Sequence, residues 1–186
     1  MHVVIATPTT NGLVVSSFVS SVTTATQVIT ERGGTYTYYS VDGADVVMAR
    51  NLIANYFLST KTATHLLCLD SDMNIDRPVF RALFDSGYPF IGTAYPERRM
   101  DMTVYAEALA NGQSEETARA QALNFNIRLT PGRHTITGNI CKADRFGFGC
   151  VLIARSVMEA MIETEIVEPY TNKRAMAQAG GGKMYD

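Results

Sequence analysis

Two aspartates one residue apart, Asp70 and Asp72, are the residues in this sequence best suited to chemistry. They follow an apolar run, residues 66–69, that is typical of a strand covered on both faces. In an extended chain residues i and i+2 point to the same side, so we expect the two carboxylates to project together. A divalent cation shared with phosphate oxygens would relieve their mutual repulsion. The spacing therefore predicts a metal site at Asp70 and Asp72; the alternative is a helix N-cap at a strand-to-helix turn.

Alternating strand-length and helix-length segments surround this pair. Short apolar strands are predicted at residues 3–6, 36–41, 66–69 and 88–92, and helices at residues 13–31, 44–58 and 78–86. This order predicts an α/β fold with a mostly parallel central sheet flanked by helices. The second half is less regular. It contains two helical pieces in residues 103–123, a hairpin between residues 125–129 and 134–138, a strand at 148–153 and a helix at 156–163.

The composition indicates a globular protein and excludes several classes of partner. The 186 residues are 46% hydrophobic and 18% charged, which suits one domain, and the net charge of −2 offers no electrostatic surface for nucleic acid. No apolar run has the roughly 18 residues that a transmembrane segment needs, and no signal-type N-terminus is visible, so we expect a cytoplasmic protein. The three scattered cysteines predict neither a disulfide framework nor a structural zinc site.

Polar loops follow each of the first three predicted strands. They contain residues 7–11, Asp42 and the pair at Asp70 and Asp72. The carboxyl ends of parallel strands meet at one sheet edge, where a ligand with a base, a sugar and phosphates would find donors, an acidic acceptor and a metal clamp. Arg50, on the helix after Asp42, would contact a phosphate or the carboxylates; the alternative is a surface arginine.

The order and separation of these motifs resemble the GT-A glycosyltransferases, above all their family 2-like group. The matching segments are Pro8-Thr9-Thr10-Asn11, Asp42, Ala49-Arg50-Asn51, Asp70-Ser71-Asp72 and the glycine-rich residues 147–153. The resemblance covers roughly residues 2–163. It implies a single Rossmann-like GT-A domain with a small irregular or antiparallel acceptor-side portion. Residues 1–93 would form the nucleotide-sugar-binding half and residues 94–165 the acceptor side, followed by a mobile or truncated tail at 166–186.

By this resemblance the protein transfers a sugar from a UDP- or GDP-sugar to a glycan or another hydroxyl acceptor. The resemblance places Mn²⁺ or Mg²⁺ on Asp70 and Asp72. The residues that it assigns to the nucleotide sugar are Thr7, Pro8, Thr10, Asp42, Arg50, Asp70 and Ser71. Those on the acceptor side are Tyr95, Arg98, Gly147 and Gly149.

The acidic motif that usually supplies the catalytic base of inverting members is missing from the expected region. We therefore assign no base, name Asp144 as the one candidate, and leave inverting and retaining chemistry open.

Two other functions stay open as well. One is a non-catalytic module of the same fold that binds sugar nucleotides or glycans. The other is a nucleotidyltransferase, although residues 7–12 lack the Lys or Arg of a basic phosphate loop.

Overall fold

The computed structural model describes residues 1–43, 45–129, 136–167, 169–170 and 184–185. The first part of the chain forms β1 (His2–Thr9), α1 (Ser16–Glu31), β2 (Thr35–Asp42), α2 (Val46–Ser59), β3 (His65–Leu69), α3 (Arg77–Asp85) and β4 (Phe90–Gly92). The middle part forms β5 (Pro96–Met100), α4 (Met102–Ala110), α5 (Glu115–Ala122), β6 (Leu123–Phe125), β7 (Ile127–Leu129), β8 (Ile136–Thr137), β9 (Ile140–Cys141) and β10 (Ala143–Phe146). The last part forms β11 (Cys150–Ala154), α6 (Arg155–Glu163), β12 (Pro169–Tyr170) and β13 (Met184–Tyr185).

The chain is a mixed α/β protein that divides into two compact units. The first comprises Met1–Gly92 with Phe148–Asp186, and the second comprises Thr93–Gly147. β11 belongs to the first unit, although the sequence prediction assigned its residues to the acceptor side. The glycine-rich end of the predicted tail, residues 178–183, lies outside the described residues. No helix in the part of the chain that the structure describes is long and apolar enough to cross a membrane.

A five-stranded sheet in the order β2-β1-β3-β11-β4 forms the centre of the first unit. β1 pairs in parallel with β2 and β3, whereas β11 is antiparallel to both β3 and β4. The prediction of a mostly parallel sheet is therefore wrong for the strand that the glycine-rich segment forms. The chain leaves the sheet at the end of β4 and returns at the same edge, so β11 must run in the opposite direction.

The core of the first unit confirms that the apolar runs are covered on both faces. Every residue from Val3 to Ala6 in β1 is fully buried, and so are nearly all residues of β3 and β11. Helix α2 contacts β1 and β2, while α1 contacts β2 and α3. Phe57 of α2 and Phe80 of α3 are among the largest side chains with no exposure. Burying apolar surface of this kind is the main source of stability for a sheet between helices.

Side-chain caps fix where several of the helices begin. The Asp45 carboxylate accepts hydrogen bonds from the N–H groups of Val47 and Met48, which starts α2 three residues after β2. Asp76 caps α3 in the same way, and Pro78 lies in the first turn of that helix. Ser114 caps α5, as its position before two glutamates predicts.

The strands of the second unit pair differently from the sequence prediction. β7 pairs with β10 and β8 pairs with β9, so the predicted hairpin between residues 125–129 and 134–138 is wrong. Its predicted turn at residues 130–133 lies outside the described residues. The β7–β10 pairing brings Ile127 opposite Phe146, and both of these apolar side chains are half-buried.

Candidate functional site

Three loops and the start of β11 meet at one edge of the five-stranded sheet, and backbone hydrogen bonds hold them together. The Gly43 N–H donates to the Thr9 carbonyl at 3.0 Å, which joins the ends of β1 and β2. The Val15 N–H donates to the Ser71 carbonyl at 3.0 Å, which joins the loops after β1 and β3. The Asp70 N–H donates to the Gly149 carbonyl at 2.8 Å. The predicted meeting of these loops at one edge is therefore confirmed.

Asp42, the last residue of β2, shapes the loop that follows β1. Its Oδ1 accepts a hydrogen bond from the Gly12 N–H at 2.9 Å and lies 3.5 Å from the Thr9 hydroxyl, which also donates to the Val41 carbonyl. Asn11 and Gly12 both have left-handed backbone conformations, with φ of 56° and 65°. Asparagine and glycine tolerate that conformation best, so the loop sequence suits the turn that Asp42 holds.

Arg50 of α2 contacts the other acidic loop. Its Nη2 lies 3.2 Å from Oδ1 and 3.4 Å from Oδ2 of Asp70, and about one third of each side chain is exposed (32% and 29%). The guanidinium also lies over the Phe148 ring, 4.9 Å from its centroid. Of the two predicted alternatives for Arg50, the structure therefore places it against the Asp70 carboxylate rather than alone on a helix surface.

Phe148 is a residue at this edge that the sequence prediction did not select. It lies between two buried glycines, at the point where the chain enters β11. The face of an aromatic ring attracts a guanidinium placed over it, so Phe148 adds a second contact to Arg50. The signal in the sequence is the aromatic residue inside the Gly-Phe-Gly segment. That signal could not be interpreted from the sequence, because the position of β11 beside β3 is what brings Phe148 to this edge.

The two aspartates are not related by strand alternation, and that part of the prediction is wrong. The extended chain stops at Leu69, and residues 70–73 form a turn in which the Met73 N–H donates to the Asp70 carbonyl at 3.1 Å. Asp70 is half-buried against Arg50, whereas Asp72 is exposed. The carboxylates thus occupy two different environments at the same loop.

Ser21 of α1 holds the end of this turn. Its fully buried hydroxyl donates to the Met73 carbonyl at 3.2 Å and accepts from the Ile75 N–H at 2.8 Å. A buried hydroxyl with both roles satisfied ties the segment after β3 to a helix of the core. Such an anchor lets the residues of the turn keep a fixed position without regular secondary structure.

A divalent metal is compatible with the residues of this loop. Within the described residues there is no group of three or more His, Cys, Asp or Glu side chains that could hold an ion. Mg²⁺ commonly keeps several water ligands and takes only one or two carboxylates together with substrate phosphates. The donor set of Asp72 and Asp70, the latter shared with Arg50, fits a metal that arrives with a diphosphate.

The other predicted nucleotide-sugar residues are placed unevenly. Thr7 lies inside β1 with no exposed surface, and its hydroxyl has no hydrogen-bond partner among the described residues. Pro8 is half-buried, and Thr10 is exposed where the loop begins. Ser71 is half-buried, and its carbonyl accepts the bond from the loop after β1. Thr10 and Ser71 are thus at the edge of the sheet, whereas Thr7 is in its interior.

The predicted acceptor-side residues are divided between the two units. Gly149 lies in the first unit, and Tyr95, Arg98, Asp144 and Gly147 lie in the second. Tyr95 and Gly147 are in close contact, because a Cβ atom at Gly147 would lie only 2.2 Å from the Tyr95 Oη. Arg98 and Asp144 are exposed on β5 and β10.

Comparisons with known proteins give limited information. No protein-family model matches the chain, and no curated protein matches it significantly. Among solved structures, the chain is similar to the crystal structure of A197 from STIV, with 18% sequence identity and a TM-score of 0.47. The similarity covers 86% of this chain and 68% of that one. A similarity of this degree carries no inference about function.

Proposed function

We propose that this protein is a metal-dependent glycosyltransferase of the GT-A type. It would transfer a sugar from a UDP- or GDP-sugar to a glycan or another hydroxyl acceptor in the cytoplasm. One observation carries the proposal: the loops after β1, β2 and β3 are bonded to one another at one sheet edge, where Arg50 contacts Asp70. The motifs found there stand in the order that the resemblance to the family 2-like group requires.

Each group at this edge has a role in holding the donor. Asp42, at the end of β2, would accept a hydrogen bond from the base or ribose while it keeps the loop at residues 9–12 in place. Arg50, supported by the Phe148 ring, orients Asp70. Asp70 and Asp72 together would bind Mn²⁺ or Mg²⁺ and, through it, the diphosphate. These assignments use the oxygen ligands that hard divalent cations prefer.

The reaction breaks the bond between the anomeric carbon and the diphosphate oxygen. The electron pair of that bond leaves with the diphosphate, and the acceptor oxygen forms the new bond to the anomeric carbon through an oxocarbenium-like transition state. The bound metal supplies positive charge that stabilises the leaving diphosphate. The proton of the acceptor hydroxyl passes to a general base, to which no residue is assigned.

Release of nucleoside diphosphate tests the proposal. The protein is incubated with a panel of UDP- and GDP-sugars and candidate acceptors, with and without Mn²⁺, and free UDP or GDP is measured by chromatography. We expect release that requires the metal and falls at least about 100-fold in Asp72→Asn, since the loss of charge stabilisation typically costs that much. Glu107→Gln removes an exposed carboxylate from α4 of the second unit and serves as the matched control, with release unchanged.

Metal-dependent binding of a nucleoside diphosphate without any release, across the whole panel, would overturn the enzymatic proposal. That result would favour the non-catalytic binding module instead.

A further inference from the structure

The two-stranded ribbon of β7 and β10 in the second unit has two different faces. Its register places Ile127 opposite Phe146 and Arg128 opposite Arg145. Ile127 and Phe146 are half-buried, whereas both arginines are exposed. Because directly opposite residues of an antiparallel pair point to the same side, the two arginines share the outer face of the ribbon.

Two like charges directly opposite each other on a ribbon are unfavourable, since their Cβ atoms are only about 5 Å apart. Neither Arg128 nor Arg145 has an ion pair or hydrogen bond with another described residue. Arg119 of the same unit, by contrast, contacts the Glu115 carboxylate at 2.8 Å. The ribbon thus places two positive charges opposite each other, and neither arginine forms an ion pair within the described part of the chain.

An extra residue in β10 distinguishes this pair from a regular ladder. The register shifts between Ala143 and Arg145, so that Asp144 is the added residue of a β-bulge. Bulges increase the local twist and change the direction of neighbouring side chains. The bulge thus lies directly before Arg145, at the position where the two arginines face each other.

We propose that Arg128 and Arg145 form a binding site for the phosphate group of a small molecule. Each guanidinium offers a planar set of donors that matches two phosphate oxygens, and a dianion between the two removes their repulsion. The proposal does not rest on the glycosyltransferase function, because no residue of the sheet edge in the first unit takes part in it. The phosphate could belong to a sugar phosphate, a nucleotide or free inorganic phosphate.

Thermal unfolding in EDTA tests the site without metal at the sheet edge. Inorganic phosphate, glucose 6-phosphate and UDP are titrated at constant ionic strength, with potassium chloride as the compensating salt. A ligand of the native state raises the melting temperature, so we expect a rise with at least one phosphate compound and none with chloride. The compound with the strongest effect identifies the source of the phosphate.

The variants separate binding from folding. In Arg128→Gln and in Arg145→Gln we expect the apparent Kd for the phosphate compound to rise about tenfold. Arg119→Gln is the control, and its Kd should equal that of the unchanged protein. Without phosphate the two variants should melt at the same temperature or higher, because the repulsion is relieved. An equal phosphate response in the Arg128→Gln/Arg145→Gln double variant and the unchanged protein would overturn the proposal, as would an equal response to chloride.

Discussion

Arg50 makes two contacts at once, and each restricts its guanidinium in a different way. The carboxylate of Asp70 accepts its Nη2 donor at 3.2 Å, and the Phe148 ring supports its flat face at 4.9 Å. The arginine and the aspartate were both predicted from the sequence, and contact of Arg50 with the carboxylates was one of two alternatives left open. They are 20 residues apart, and neither spacing nor residue type decides between those alternatives across that separation.

Replacing Arg50 should affect ligand binding much more than folding. Arg50→Met removes the partner of Asp70, and we expect the Kd of the Mn²⁺–nucleotide complex to rise about tenfold by calorimetry. Because the ion pair is one-third exposed, the free energy of unfolding should change by less than about 1 kcal/mol. Arg50→Lys keeps the charge, so its Kd should lie between those of the unchanged protein and Arg50→Met. Unchanged affinity in Arg50→Met would show that the pair has no part in binding.

Gly147 is required for the close approach of Tyr95 within the second unit. A Cβ atom at this position would lie 2.2 Å from the Tyr95 Oη and 2.5 Å from the Asn126 Nδ2, so Gly147→Ala must displace one of them. We expect a loss of about 1–3 kcal/mol in the free energy of unfolding, measured in urea. Gly43→Ala, where the nearest atom is the Met48 Cε at 3.6 Å, is the control and should be close to neutral. Equal stability of the two variants would refute this role.

At the scale of elements, Arg155 joins the start of α6 to the end of α2. Its Nη2 donates to the carbonyls of Phe57 and Thr60 at 2.8 Å, and its Nε donates to the Ala63 carbonyl at 2.6 Å. The last carbonyls of a helix have no partner within the helix, and a positive charge is favourable at that end. Arg155 also lies 4.6 Å over the Phe57 ring. One side chain thus gives charged donors to carbonyls at and just beyond the end of α2, although those of Phe57 and Thr60 also accept backbone N–H groups.

Loss of Arg155 should therefore destabilise the first unit. We expect Arg155→Met to lower the free energy of unfolding by about 3 kcal/mol, because several carbonyls lose a charged donor. Arg155→Lys should recover only part, since one ammonium cannot reach all of them. Arg119→Met, which breaks an exposed pair on α5, is the control and should cost under about 1 kcal/mol. Urea unfolding decides the matter, and a cost for Arg155→Met no larger than for the control would contradict it.

Ion pairs between α1 and α3 should make stability depend on pH. The hydrogen bond from Arg77 lowers the pKa of Glu31 from its usual 4.5, and that from Arg32 lowers the pKa of Asp85 from 3.8. A carboxylate whose pKa is lower in the folded state than in the unfolded state stabilises the folded protein at a pH above its unfolded-state pKa. This stabilisation is lost as the pH falls through the folded-state pKa. At about pH 6 we thus expect the unchanged protein to have a higher melting temperature than the Glu31→Gln/Asp85→Asn variant. The difference in melting temperature should shrink below pH 4.5 and disappear well below pH 3.8. A difference that stayed constant as the pH was lowered would rule out these pairs as its cause.

At the scale of the whole molecule, the sequence predicts which segments become strands better than it predicts how they pair. The strand at β11 was expected because residues 150–153 are apolar, and they are almost completely buried. An apolar run contains no information about strand direction, however. A strand that lies antiparallel between β3 and β4 has the same apolar pattern as a parallel strand in that position. The pairing of β7 with β10 depends in the same way on which distant segment supplies an apolar partner.

The candidate site was predictable to the extent that it depends on strand ends. Parallel strands bring their carboxyl ends together, so Asp42 and the loop after β3 were expected at one edge, and backbone hydrogen bonds join them there. What could not be predicted is the local geometry, since a turn rather than a strand contains Asp70 and Asp72. Turn geometry here depends on Ser21, which is about 50 residues away and belongs to another element.

Under the proposed function, Asp72 helps to bind a nucleoside diphosphate through a divalent metal. Thermal unfolding with UDP and with GDP, each with and without Mn²⁺, tests this role in the unchanged protein, Asp72→Asn and the Glu107→Gln control. A ligand at 100 times its Kd stabilises the native state by about 2.7 kcal/mol. We expect a rise in melting temperature that requires both nucleotide and metal, disappears in Asp72→Asn and persists in Glu107→Gln. No response to either nucleotide, or an equal response in Asp72→Asn, would contradict it.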